Sequence, residues 1–156
     1  MYEKLTPVKV GDKEYPLLYN ATAFLDFEER YGEGVSLNAL FVGPDIVDTD
    51  TDEEKAEKEK ARKKATAYTK REMPWLVATL AKQGCLLKAE HGETVEPPTP
   101  EWVSLHWTAR QVPNIMASVF LALTRGMQTQ HKKGENQEID VVLEELESKN
   151  VESAAE

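Results

Sequence analysis

The sequence contains one cysteine, Cys85, so no disulfide can form within the chain. This scarcity is typical of a reducing compartment, and the leucines around Cys85 predict a small core residue rather than a reactive thiol. The N-terminal residues MYEKLTPVKV lack the basic and apolar regions of a secretory signal. No apolar run approaches the roughly 20 residues that cross a bilayer. We therefore expect a cytosolic protein with no membrane partner.

Residues for catalysis and metal binding are also scarce. The three histidines, His91, His106 and His131, are far apart, and none belongs to a pair with metal-ligand spacing. We predict that His106 packs in the core and that the other two are exposed. The sequence has no phosphate-binding glycine loop and no nucleophile motif. We therefore expect a protein that is not an enzyme and that uses no cofactor or metal.

Basic residues are too few to balance the acidic ones. The chain has 19 Lys and Arg against 28 Asp and Glu, which gives a formal net charge of −9. Binding to a phosphate backbone requires a basic face, so we expect no nucleic-acid partner. The acidity instead favours solubility and is compatible with a basic protein partner.

The clearest pattern in the chain lies in its first 41 residues. Val8 and Val10 alternate with charged residues, Gly11-Asp12 supply a turn, and Tyr15, Leu17 and Tyr19 resume the period of two, which predicts a β-hairpin. Asn20 is a good N-cap for the amphipathic helix that follows, and Gly32 is a suitable residue to end it. The pattern predicts a hairpin whose apolar face continues directly onto a helix.

Two segments of this region, GDKEYPL (11–17) and AFLDFEERYG (23–32), resemble the tail assembly chaperones of long-tailed, siphovirus-type bacteriophages. The resemblance lies in the order of residue types in the hairpin and helix, and it covers about the first quarter of the chain. It implies a non-catalytic viral protein that binds the tape-measure protein during tail assembly. The tail-tube protein and a second copy of the chain are further candidate partners. The implied location is the host bacterial cytoplasm, and the protein would be absent from the mature virion.

Two alternative functions stay open. The first is a small phage tail or connector protein that remains in the virion as a structural component. The second is an acidic inhibitor or nucleic-acid mimic that binds a basic host protein through residues 45–54 or through the C-terminal tail. Ionic strength distinguishes mimicry from chaperoning, because salt weakens charge pairing far more than apolar contact.

Residues 45–66 form a charged segment in which an acidic block precedes a basic one. This polarity complements a helix dipole, so the segment is either a charged linker or a solvated helix that begins near Asp52. We expect a break before Pro74, which would then lie in the first turn of a separate apolar helix. Gly84 is expected to weaken the end of that helix.

Two more helices are predicted in the second half of the chain. Thr99-Pro100-Glu101 has the cap, proline and acidic residue of a helix start. The face of this helix with Trp102, Leu105 and His106 is predicted to be buried. A final core helix is expected to begin at a cap on Asn114.

The resulting prediction is an α+β, mainly α fold. Residues 1–127 form an N-terminal β-hairpin packed on a small helical domain of about four helices, the last of which ends at Gly126. Residues 128–156 form an acidic, partly disordered tail with a short amphipathic helix that either docks on the core or folds on a partner. We call its apolar residues the tail stripe: Ile139, Val142, Leu143 and Leu146.

The three tryptophans and the tail stripe are the candidate partner-binding residues. Trp75 lies in the most apolar stretch of the chain. Trp102 and Trp107 are five residues apart, which separates them by about 140° on a helix, so one face cannot bury both fully. Because tryptophan is enriched at binding hot spots, we predict that one of the two anchors a partner.

The resemblance also implies a programmed frameshift near the end of the reading frame, which yields a longer second product. Ser148-Lys149-Asn150 permits the slippery heptamer A-AAA-AAC, read as TCA-AAA-AAC. We predict that the gene carries this heptamer, and the nucleotide sequence tests the prediction. A Ser148 codon that ends in any base other than A excludes slippage at this position.

Overall fold

The computed structural model describes residues 5–134, with side chains through residue 128. The predicted class is confirmed: the fold is mainly helical with an N-terminal antiparallel hairpin. The strands are β1 (Thr6–Val10) and β2 (Lys13–Leu17). The helices are α1 (Ala21–Tyr31), α2 (Leu37–Phe41), α3 (Asp52–Glu90), α4 (Pro100–His106) and α5 (Val112–Gly134), with a 3-10 turn at Ala109–Gln111 before α5.

The hairpin has the predicted two-residue turn. Val10 pairs with Lys13, which leaves Gly11-Asp12 as the connection, and Gly11 has a φ of +61° that a glycine adopts without a Cβ penalty. The Gln111 side chain holds this turn, because its Oε1 accepts from Gly11 N at 2.9 Å and its Nε2 donates to Gly11 O at 3.0 Å. The turn is therefore tied to the segment that leads into α5.

Asn20 connects the first helix to the rest of the fold. Its Oδ1 accepts a hydrogen bond from Ala23 N at 3.0 Å, which confirms the predicted N-cap. Its Nδ2 donates to Oε1 of Gln83 on α3 at 3.1 Å. One side chain therefore starts α1 and positions it against α3.

Helix α3 runs through Pro74 without a break, so the expected break is wrong. A proline inside a helix loses one hydrogen bond and costs about 3 kcal/mol. Met73, Leu76 and Val77 surround Pro74 in sequence and are completely buried. Their burial favours continuous helix on both sides of the proline. The first half of α3 is mostly exposed, and Ala65 is its first buried residue.

Glycines in α3 and α5 do not end their helices. Helix α3 continues past Gly84 to Glu90, and α5 continues past Gly126 to Gly134, so the expected end at Gly126 is wrong. A Cβ at Gly84 would overlap the backbone carbonyl of Pro16. A Cβ at Gly126 would overlap the carbonyl and ring of Tyr19. Because neither glycine has a side chain, Pro16 packs closely on α3 at Gly84 and Tyr19 packs closely on α5 at Gly126.

Helix α4 has the predicted Thr99 cap but turns a different face inward. Val103 is fully buried, whereas Leu105 is 80% exposed and His106 is also exposed. The prediction that Leu105 and His106 are buried is therefore wrong. The helix has only seven residues, too few for periodicity to identify its buried face. His106 instead stacks on Trp102, with ring centroids 4.2 Å apart.

Helix α5 begins earlier than predicted. It starts at Val112, directly after the 3-10 turn, so the expected cap at Asn114 is wrong. Thr108 and Gln111 form a reciprocal capping box for that turn, in which the Gln111 N–H donates to Thr108 Oγ1 at 3.3 Å. Pro113 then lies in the first turn of α5, where its missing N–H is tolerated.

The core lies between the hairpin, α1, α3 and α5. Cys85 is buried within it, as predicted. None of the helices in residues 5–134 is long and apolar enough to cross a membrane. The largest fully buried apolar side chains of the described residues are Val10, Leu17, Met73, Leu76, Val77, Leu80, Val103, Ile115 and Val119.

We expect Gly84→Ala to destabilise the protein. The added Cβ must displace the Pro16 backbone, and overpacking of this kind costs about 1–3 kcal/mol, more than the gain of about 1 kcal/mol in helix propensity. Urea unfolding followed by circular dichroism measures the difference. Glu59→Ala, at an exposed position of the same helix, is the control and should change stability by less than about 0.5 kcal/mol. A Gly84→Ala protein as stable as wild type would contradict the close packing.

Candidate partner-binding surface

Trp75 is partly exposed on α3 and is held by aromatic residues of α1. Its ring centroid lies 5.4 Å from that of Phe27 and 5.6 Å from that of Tyr31. The guanidinium of Arg30 lies over the indole, 4.5 Å from the ring centroid, which is cation–π geometry. Trp75 is therefore fixed in orientation while part of its surface faces solvent.

Two grooves meet at this tryptophan, and we call them together the Trp75 surface. The first, with a volume of about 600 Å³, lies between α1, α3 and residues 97–100. The second, with a volume of about 620 Å³, lies between α3 and α4. Both are lined by Arg30, Trp75 and Pro100. Along α3 the surface extends from Arg71 to Lys82, about 16 Å or three helical turns.

The segment before α4 forms one wall of the first groove. Pro97, Pro98 and Pro100 all line it, and Pro98 is buried. Proline fixes φ near −65°, so this wall has little backbone freedom to lose when a partner binds. A groove that is rigid before binding lowers the entropic cost of complex formation.

A charged hydrogen-bond network holds Arg30 over the indole. Arg30 Nε and the Tyr31 hydroxyl both donate to Glu72 Oε1, at 2.8 and 2.7 Å. Burial raises the pKa of Glu72, but the hydrogen bonds from Arg30 and Tyr31 outweigh it, so the pKa of Glu72 is below its usual value. Burial and the Glu72 carboxylate both raise the pKa of Tyr31. The carboxylate therefore stays charged at neutral pH and orients both side chains.

The other two tryptophans make different contacts and do not line these grooves. Trp102 packs edge-to-face on Tyr15, with centroids 5.7 Å apart, and Lys13 Nζ lies 5.7 Å from the centroid of its ring. Trp107 caps the end of α4 and packs partly against the core. Neither lines the two grooves at Trp75. The structure therefore does not bring the three candidate anchors together, and Trp102 and Trp107 stay predictions as separate contact residues.

Sequence reasoning missed several residues of the Trp75 surface. Leu105 is predicted to share a helix face with Trp102 and His106, yet it lines the second groove and is the most exposed large hydrophobic residue among those the structure describes. Arg30 has no sequence signal of its own, because its partner Glu72 is 42 residues away. Trp75 is the residue of this surface that the sequence predicts as a partner contact, whereas Thr99-Pro100 is predicted only as the start of a helix.

A separate apolar groove lies between α2 and α5, and we call it the α2–α5 groove. Its volume is about 370 Å³, and no charged residue lines it. Met127, on its α5 side, is 42% exposed. Leu37 also lines a neighbouring pocket of about 190 Å³. The apolar residues of the α2–α5 groove are Leu37, Phe41, Val42, Phe120, Leu123 and Met127.

The tail stripe (Ile139, Val142, Leu143 and Leu146) lies outside the described residues. Within residues 5–134 no group of three or more His, Cys, Asp or Glu could hold a metal ion. Comparisons with protein-family models, curated proteins and solved structures find no match. The argument for function therefore depends on the geometry of the two surfaces and on the sequence pattern.

We predict that Glu72→Gln lowers stability by about 1 kcal/mol at pH 7. This figure is modest because Arg30 is 40% exposed and solvent screens the pair. The folded-state pKa of Glu72 is below its ordinary value of 4.5, because Arg30 and Tyr31 donate hydrogen bonds to the carboxylate. Its contribution is therefore complete above that value and is lost as the pH falls through the folded pKa. The gap between wild type and variant should close on acidification.

Urea unfolding at a series of pH values from 7 down to about 3 measures this gap, a range chosen to cross the carboxylate pKa values. Glu59→Gln, an exposed carboxylate on the same helix, is the matched control and should differ little from wild type at any pH. If the stability difference between wild type and Glu72→Gln stays constant as the pH falls to about 3, the charge of Glu72 does not contribute to stability.

Proposed function

We propose that this protein is a non-catalytic tail assembly chaperone of a long-tailed bacteriophage, and that it binds the tape-measure protein through the Trp75 surface. The resemblance in residues 11–32 supports this function. The observation that carries it is a partly exposed tryptophan, oriented by Arg30, at the junction of two open grooves. A long helical protein has apolar stripes that are exposed until the tail tube covers them, and such stripes need a reversible shield.

The dimensions of the Trp75 surface suit an amphipathic helix. Its length of about 16 Å accommodates three turns, and partner residues at i, i+3 or i+4, and i+7 would face it. Trp75 is the central contact and is of the residue type most enriched at hot spots. Leu105, at 80% exposure, supplies apolar area at one end.

The charges around the Trp75 surface are mixed rather than of one sign. Asp26, Glu29 and Glu101 line it together with Arg30, Arg71 and Lys82. Mixed charges give little net electrostatic attraction, so the proposed binding depends on apolar contact and should resist salt. The net charge of −9 would keep the complex soluble while the apolar stripe is covered.

The hydrogen bonds of one carboxylate in residues 45–54 favour the chaperone proposal over an acidic mimic that would use this segment. Asp50 in that segment accepts hydrogen bonds from Lys58 Nζ at 2.9 Å and from Val47 N at 3.0 Å. Because Asp50 already accepts from Lys58 of α3 and from the Val47 N–H, it binds a basic partner only if these hydrogen bonds break. As part of the proposal, the chaperone acts in the host cytoplasm, is absent from the mature virion, and has the tail-tube protein and a second copy as further candidate partners.

Co-expression with the product of the next long, helix-rich reading frame tests the proposal. We expect the wild-type protein to capture that product and keep it soluble at salt from about 0.1 to about 1 M, a range over which the Debye length falls from about 10 to 3 Å. Leu105→Asp should reduce capture about tenfold, which corresponds to about 1.4 kcal/mol. Leu86→Asp is the matched control, because Leu86 is also an exposed helical leucine, at 55%, and does not line either groove.

Three outcomes would contradict the proposal. Absence of capture, with the protein found in purified particles, would favour a structural tail component. Capture that disappears at high salt would favour an acidic inhibitor. Equal loss of capture in both leucine variants would show that the Trp75 surface is not the binding site.

A further inference from the structure

Arg30 leaves most of its hydrogen-bond donors unused at the centre of the Trp75 surface. Among the described residues it donates one hydrogen bond, from Nε to Glu72 Oε1 at 2.8 Å. Its terminal nitrogens, Nη1 and Nη2, carry four further N–H groups. The Arg30 side chain is 40% exposed, so solvent satisfies these donors in the free protein. A partner that covers Trp75 also covers Arg30, because both residues line the two grooves.

An entirely apolar stripe is a poor occupant of this surface. It would remove the four N–H groups of Arg30 from water without offering an acceptor, and an unsatisfied donor on a charged group is especially costly to bury. Glu72 is the one described carboxylate paired with Arg30, and its hydrogen bond is to Nε. The occupant therefore has to bring an acceptor of its own. A carboxylate suits this role best, because its two oxygens accept in parallel from the two terminal nitrogens of a guanidinium.

The charges of the lining residues place this carboxylate in the second groove. That groove contains two basic residues, Arg30 and Arg71, and one acidic residue, Glu101. The first groove contains two basic and two acidic residues. Glu72 lines neither groove and, as the partner of Arg30, adds the same negative charge to both counts. The second groove is therefore more positive by one unit. The charged residues of the first groove are Asp26, Glu29, Arg30 and Lys82.

Apolar side chains line the second groove beside its two arginines. Trp75 lies one helical turn after Arg71 on α3. Leu105 lines the α4 side of the groove and is 80% exposed. A helix that docks here therefore meets apolar and basic groups within the same short groove. The sequence that complements this lining is an apolar stripe in which one position is Asp or Glu.

We propose that the second groove recognises an acidic residue within the apolar stripe of the partner helix, and that Arg30 and Arg71 select it. This inference rests on the proposed function and specifies the segment that the partner presents. The docked helix covers the charge pair, so salt screens it less than an exposed pair. The main effect of the pair is selectivity, because a stripe without the carboxylate leaves the Arg30 donors unsatisfied.

Binding of two synthetic helices to the full-length chain tests the inference. Both are alanine-based peptides of about 18 residues, long enough to form appreciable helix, with leucines along one face. They differ at one central position of the leucine face, which is Glu in the first peptide and Gln in the second. Fluorescence anisotropy of the labelled peptides gives each Kd. Wild type should bind the Glu peptide about tenfold more tightly than the Gln peptide, which corresponds to about 1.4 kcal/mol.

Three variants assign this preference to the arginines. Arg30→Gln should abolish it, because the guanidinium fork is lost. Arg71→Gln should lower it about threefold, the effect of a solvent-exposed ion pair. Lys70→Gln is the matched control, because Lys70 is exposed beside Arg71 but lies about 100° around the helix and lines neither groove. Its preference should stay within about twofold of wild type, since solvent screens a charge outside the groove.

The ratio of the two Kd values separates recognition from stability, because a general loss of folding weakens binding of both peptides equally. Circular dichroism checks that each variant is folded. Equal binding of the two peptides by wild type would overturn the inference, as would binding of neither peptide. An unchanged preference in Arg30→Gln would also overturn it. Equal losses in Arg71→Gln and Lys70→Gln would show that charge acts from outside the groove, which contradicts the assignment.

The peptides contain no tape-measure sequence, so the two proposals fail separately. Loss of the Glu preference leaves capture in the co-expression experiment, and with it the proposed function, untouched. Absence of capture, together with an intact Glu preference that depends on Arg30, would contradict the proposed function and leave the recognition of an acidic residue standing.

Discussion

The β-hairpin packs directly on the backbone of α3, and the positions of the other elements follow from this contact. At Gly84 the absence of a side chain lets the Pro16 carbonyl approach the helix, and Leu18 N donates to the Leu80 carbonyl at 3.1 Å. Asn20 begins α1 immediately after this contact and is bonded to Gln83 on α3. Because so few residues separate the hairpin from α1, α1 must lie beside α3.

The same constraint creates the Trp75 surface. Once α1 lies along α3, Phe27 and Tyr31 reach one side of Trp75, and Arg30 reaches Glu72 and covers the indole. The rest of the indole ring lies between α1 and residues 97–100, the proline-rich segment at the start of α4. Core residues therefore fix the orientation of Trp75, while part of its ring stays exposed for a partner.

The Trp75 surface and the α2–α5 groove differ in the charge of their lining residues. The Trp75 surface has a fixed aromatic anchor and mixed charges, features that suit selection of a particular helix. The α2–α5 groove is lined by uncharged residues only, most of them apolar.

Local sequence determined the elements whose signals are complete within a few residues. The Gly11-Asp12 turn, the Asn20 cap and the Thr99 cap were predictable because their hydrogen bonds join residues close in sequence. Tertiary structure decided the rest. Pro74 and Gly126 have local preferences against helix, but burial on both sides of Pro74 and the packing of Tyr19 on Gly126 favoured continuity. The exposure of Leu105 and the pairing of Arg30 with Glu72 depend on which distant segments meet, and no local pattern contains that information.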